Sequence, residues 1–127
     1  MTLAYWCVVI AMFLPWIAAY YAKKSAGFSS TDNHHPREFL AHAQGKAARA
    51  NAAQQNGYEI FAPFAAAVII AHVTGNAAQL TINCWSMLFI LSRFGYFLMY
   101  INDKAFARSC LWGLGIVCIL ALYIAAI

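Results

Sequence analysis

The chain has 127 residues, of which 64% are hydrophobic and only 9% carry charge, with eight basic and four acidic side chains and a formal net charge of +4. A soluble domain carries about 25% charged residues, so a soluble enzyme, a disordered chain and a secreted disulfide scaffold are excluded as descriptions. A spanning helix needs ~20 mostly apolar residues, and the apolar content matches an all-α integral membrane protein with four spans.

The first apolar run, Leu3 to Ala22, holds no charge and ends at Lys23-Lys24. A cleaved signal peptide has its positive residues before the apolar stretch; here they follow it, so the run is expected to remain as a span, with Pro15 tolerated inside it. A polar loop covers residues 23–57. It opens on the turn formers Ser29-Ser30-Thr31-Asp32-Asn33 and reaches Pro36, which suits the first turn of a helix. Alanine dominates thereafter, so one continuous helix is expected from Pro36 into the membrane near Tyr58, its membrane portion covering 58–73. Gly75-Asn76 marks a turn. The third span covers 80–101 and ends at Asn102-Asp103-Lys104; the fourth covers 105–127. One domain of four spans is the expected organisation.

Seven of the eight basic residues fall on the first and third loops: Lys23, Lys24, Arg37, Lys46, Arg49, Lys104 and Arg108. The positive-inside rule assigns those loops to the cytoplasm and the termini to the outside. The positive charge then points to anionic membrane lipid as a partner, with no nucleic acid implied.

Charges inside spans are costly and mark function by default. Glu59 lies in the second span and Arg93 well inside the third. Arg49, Ala52, Asn56, Glu59 and Pro63 share one helix face by their three- and four-residue spacing. Arg93, Tyr96 and Tyr100 line a stripe on the next helix, and Arg108 opens the fourth span beside it. A carboxylate, an amide, two phenols and several cations at one depth suit a zwitterionic ligand with more than one carboxylate. The structural alternative is a buried Glu59–Arg93 pair that only sets helix register. His35, Glu38 and His42 could share a helix face but complete no metal-ligand pattern, so no metal is assigned. Cys7, Cys84, Cys110 and Cys118 lack a C-x-x-C spacing and read as small apolar residues.

These residues resemble the family of membrane-associated proteins in eicosanoid and glutathione metabolism (MAPEG), in a bacterial-type form. The resemblance rests on Arg49-Ala50, on Asn56-Gly57-Tyr58-Glu59 with Pro63-Phe64-Ala65, on Arg93-Phe94-Gly95-Tyr96 with Tyr100, and on Arg108-Ser109. It implies a left-handed four-helix bundle assembled as a homotrimer in a bacterial inner membrane, with glutathione bound between subunits near the cytoplasmic face. By that resemblance Arg49, Asn56, Glu59, Arg93, Tyr96 and Tyr100 bind glutathione as co-substrate, and Arg108 is catalytic beside the sulfur. The activity implied is a glutathione transferase or peroxidase acting on a lipophilic electrophile. Ala52 stands where members often carry an arginine, and Ile60 follows Glu59 where some have tyrosine. Two other functions compete: a non-catalytic structural or lipid-binding oligomer, and a small multidrug exporter. The second is disfavoured because the first span lacks an acid and the first loop is long.

Overall fold

The computed structural model describes residues 1–127 and contains helices α1 (Leu3–Ser25), α2 (Pro36–Ala41), α3 (Gly45–Thr74), α4 (Gln79–Ile101) and α5 (Ala105–Ala125), with a single 3-10 turn at Thr31–His34 and no strand. Helices α1, α3, α4 and α5 are each long and apolar enough to cross a membrane. They form an all-helical bundle in which α1 packs along α3, α5 packs along α4, and the α3–α4 contact joins the two pairs.

The packing follows from the residues each helix turns inward. Lipid chains are as apolar as leucine, so helices in a bilayer associate through close contact of small residues. On α1 the buried positions are Ala4, Cys7, Ala11, Pro15, Ala18 and Ala22, a stripe of small side chains at three- and four-residue spacing. Helix α3 answers with Ala47, Ala50, Ala53, Ala67 and Ala71. Larger side chains fill the bundle centre, where the rings of Phe64 and Phe89 stack 3.8 Å apart. The outward residues Trp6, Phe13, Leu91, Leu98, Leu120 and Ile124 are exposed, as a lipid-facing surface requires.

The helix expected to run unbroken from Pro36 is interrupted. Helix α2 ends at Ala41, and the chain turns through His42, Ala43 and an extended Gln44 before α3 begins. Two local features produce the break. Gly45 adopts φ +57°, a left-handed conformation that glycine takes at little cost, and the His42 ring nitrogen Nδ1 lies 2.9 Å from the Glu38 carbonyl at the end of α2. Asn51 then donates to the Leu40 carbonyl, while Leu40 is buried against Ala22 and Ala50, so α2 lies folded against the start of α3. In the preceding loop, hydrogen bonds from the Ser29 hydroxyl and backbone N–H hold the Asp32 carboxyl below the usual carboxylate range.

At the opposite end of the bundle, polar groups tie three helices together. The Ala4 backbone N–H donates to Asn83 Oδ1, so the group of Gln79 facing that oxygen is its amide nitrogen, at 2.9 Å. The same nitrogen lies 3.3 Å from His72 Nε2, and His72 Nδ1 lies 2.8 Å from the Val68 carbonyl. A backbone donor at one end and a backbone acceptor at the other define one tautomer: Nδ1 carries the proton and Nε2 accepts. Tyr5 stacks on that ring at 4.2 Å.

Among the glycines, Gly57 on α3 makes the tightest approach, against Pro15 of α1. A Cβ added at Gly57 would stand 2.9 Å from Cγ of Pro15, whereas one added at Gly113 meets nothing within 4 Å. Since the proline ring cannot swing aside, Gly57→Ala is expected to lower stability by about 1–3 kcal/mol. Gly113→Ala should leave stability unchanged or raise it by up to ~1 kcal/mol through helix propensity. Thermal unfolding of the detergent-solubilised variants, followed by circular dichroism, checks this; equal shifts for the two variants would contradict the close-approach account.

Candidate functional site

Helix α3 presents Asn56 and Glu59 one turn apart, with Asn56 half-buried and Glu59 exposed. Helix α4 presents Arg93, Tyr96 and Tyr100 on one stripe, and Arg93 is only 6% exposed. Arg93 lies eight residues before the end of α4, which places it ~12 Å along the helix axis from that terminus. Arg108 sits in the first turn of α5.

These side chains form a continuous chain of contacts. Arg93 Nη2 donates to Asn56 Oδ1 at 2.8 Å. Because a guanidinium only donates, that bond fixes which way the Asn56 amide points, and its Nδ2 faces Glu59 Oε2 at 3.3 Å. The Arg93 guanidinium lies 4.1 Å from the centroid of the Tyr96 ring. Tyr96 and Tyr100 meet edge to face at 5.4 Å, and the Arg108 guanidinium lies over Tyr100 at 4.5 Å. Cation–π contacts of this kind are worth about 0.5–2 kcal/mol each.

Asn56, Tyr96, Tyr100 and Arg108 thereby line one open groove, together with Ser109 and Trp112. The groove offers a guanidinium and phenolic hydroxyls as donors for anionic groups, while the exposed carboxylate of Glu59 lies one hydrogen bond beyond Asn56.

The other residues singled out in the sequence fall elsewhere or pair differently. Arg49 is not at the groove. Its Nε and Nη2 reach the Ile101 carbonyl at 3.4 and 3.2 Å, so it satisfies an open carbonyl at the C-terminus of α4, where the helix dipole favours a cation. Glu59 and Arg93 contact one another only through the Asn56 amide, unlike the buried pair that would merely set register. No three His, Cys, Asp or Glu side chains come together in a way that could hold a metal ion. The four cysteines are free.

Trp112 is a groove residue that the sequence reading missed. Its signal was its position four residues after Arg108, which stacks the two side chains on one face of α5. Tryptophan in a span is so often a packing or interfacial residue that this spacing carries little weight until the groove is seen.

The comparisons with known proteins agree with this arrangement at the level of the family. No curated protein and no solved structure matches the chain significantly. The sequence profile of the MAPEG family matches residues 3–127. That match takes in all four long helices and every residue of the groove, and the chain belongs to the MAPEG family.

Proposed function

We propose that the protein is a membrane-embedded glutathione-dependent transferase or peroxidase. The observation that carries this reading is the groove in which Arg108, stacked on Tyr100, shares a wall with Tyr96 and Asn56. Glutathione carries an ammonium, two carboxylates and a thiol. Glu59 is assigned to the ammonium. Asn56 and the hydroxyls of Tyr96 and Tyr100 are assigned to the backbone and carboxylates, and Arg93 keeps the Asn56 amide in register. Arg49 is assigned a supporting role, bracing the end of α4 next to Tyr100.

Arg108 is assigned to the sulfur. A free thiol has a pKa of ~8.5, and the thiolate is the nucleophile. A guanidinium is charged throughout the physiological range and favours the thiolate by direct attraction. Once the proton has left to solvent, the sulfur attacks an electrophilic carbon of a lipophilic substrate; the new S–C bond forms as the leaving group departs with its electron pair. Holding both reactants in one groove adds an orientation benefit. A second substrate dissolved in the bilayer reaches the groove past Trp112.

We further propose a homotrimer in a bacterial inner membrane, with the basic loops in the cytoplasm. In one copy Glu59 is exposed and the groove open, so a neighbouring subunit provides the missing wall. Ala52, a half-buried methyl one turn before Asn56, supports a second reading. In that reading the oligomer binds lipid or glutathione without turnover, because an arginine found there in many members is absent.

Two experiments test the proposal. Glutathione added to the detergent-solubilised protein at neutral pH should produce the ultraviolet absorption of a thiolate, and Arg108→Ala should abolish it, moving thiolate formation to higher pH. Absence of the signal together with no conjugation of an aryl halide would overturn the enzyme reading. Glu59→Gln should weaken glutathione binding about tenfold, or ~1.4 kcal/mol, while the oligomer elutes unchanged in size-exclusion chromatography. A variant that binds normally but fails to assemble would show that Glu59 serves the interface instead.

A further inference from the structure

Arg49 is one of the residues that the family resemblance assigns to glutathione, yet its Nε and Nη2 are both spent on the Ile101 carbonyl. The end of α4 shows why that bond exists. The last four carbonyls of a helix have no partner inside it. Here the Leu98 carbonyl accepts from the Asn102 backbone N–H and from Asn102 Nδ2. The Met99 carbonyl accepts from the Lys104 N–H at 2.9 Å, and the Tyr100 carbonyl from the Asp103 N–H at 3.1 Å. The Ile101 carbonyl has no backbone donor in the turn, and Arg49, reaching across from α3, satisfies it. Charged donors at the negative end of a helix dipole make a stronger bond than a neutral pair.

The same turn leads to Arg108. The Lys104-to-Met99 and Asp103-to-Tyr100 bonds, with Asp103 at φ +59°, form a Schellman motif. Aspartate takes that left-handed conformation at more cost than glycine, so the turn is kept by what surrounds it. The Lys104 carbonyl then accepts from the Arg108 N–H at 2.9 Å as α5 begins. From Ile101 to Arg108 the chain is thus one hydrogen-bonded corner. Tyr100 stands just before the held carbonyl and carries the Arg108 guanidinium over its ring at 4.5 Å. Through Arg49, both halves of that stack are tied to α3, the helix that also carries Asn56 and Glu59.

We propose that Arg49 is a positioning residue for activation of the sulfur: by clamping the Ile101 carbonyl it seats the Tyr100–Arg108 stack against α3, and it touches no part of glutathione. The inference rests on the glutathione reading and divides two tasks within it. Asn56, Glu59 and the tyrosines hold the tripeptide, while Arg49 governs how well Arg108 favours the thiolate. Without the clamp the Ile101 carbonyl loses its partner, the last turn of α4 loosens, and Arg108 loses its seat on Tyr100.

The test uses the full chain as the detergent-solubilised oligomer. Arg49→Ala should raise the midpoint pH of glutathione thiolate absorption by about one unit, roughly a tenfold loss of thiolate at neutral pH. Affinity for S-methylglutathione, whose sulfur has no proton to lose, should stay within about threefold of the unaltered protein. Arg49→Lys keeps the charge without the paired donors and should recover only part of the shift; it is read alone if Arg49→Ala fails to assemble. The positioning role is overturned if Arg49→Ala leaves the midpoint in place, or if it weakens S-methylglutathione binding about tenfold or more, the mark of a direct ligand. Full recovery by Arg49→Lys overturns it too, since charge alone would then suffice. If the unaltered protein gives no thiolate signal, the glutathione reading falls and this inference with it, whereas failure confined to the Arg49 variants leaves that reading intact.

Discussion

The contact on which the rest of the arrangement depends is the 2.8 Å hydrogen bond from Arg93 to Asn56. An arginine at the centre of a spanning helix costs about 2.5–3.5 kcal/mol by insertion scales, and that cost is bearable only where partners are built around the charge. Asn56 supplies an acceptor from α3 and the Tyr96 ring supplies its negative face from α4 itself. Every later contact inherits its geometry from this one. The bond orients the amide toward Glu59, and the guanidinium seats Tyr96 against Tyr100, over which Arg108 lies. A single buried cation thus organises groups from three helices.

The bundle can support such a site because its helices meet through small residues. Alanine stripes on α1 and α3, and Gly57 against the Pro15 ring, let the two helices pack closely. That packing positions α3 behind Asn56. Alanine-lined seams fit closely only where the facing residues match, and where α4 brings the longer side chains Arg93, Phe94 and Phe97 to α1 the seam opens into a narrow crevice whose lining is mostly apolar and includes Leu14, Ile17 and Phe61.

How much of this was legible in the sequence depends on the range of the interaction involved. The four long helices are local properties of apolar runs, and so were Glu59 and Arg93 as charges out of place. The stripe of Arg93, Tyr96 and Tyr100 follows from helical spacing alone. The break at His42–Gly45 was not legible, because alanine-rich flanks predict continuity and a positive φ at one glycine is a backbone choice made by the docking of Leu40 against Ala22 and Ala50. The position of Arg49 was hidden for a different reason. Its partner is a backbone carbonyl 52 residues away, and no side-chain pattern records an open carbonyl at a helix end. The insertion of Asn56 between Glu59 and Arg93 likewise needs the relative rotation of α3 and α4, which spacing on either helix leaves free.

That insertion has a consequence for the kind of ligand the groove suits. A direct Glu59–Arg93 pair would cancel both charges and leave a neutral surface. With the amide between them, the cation is buried behind Asn56 and the anion is exposed one hydrogen bond beyond it, so the two charges stay separate on either side of a groove residue. Arg108 adds a second positive pole on the α5 side. A zwitterion placed against these groups is oriented by its own dipole, its carboxylates drawn toward the cations and its ammonium toward Glu59. Under the glutathione reading this separation of charge sets the direction in which the tripeptide lies, with the thiol of its central cysteine turned toward Arg108. Replacing Asn56 by a residue that let the two charges meet would remove that polarity even if every other group stayed in place.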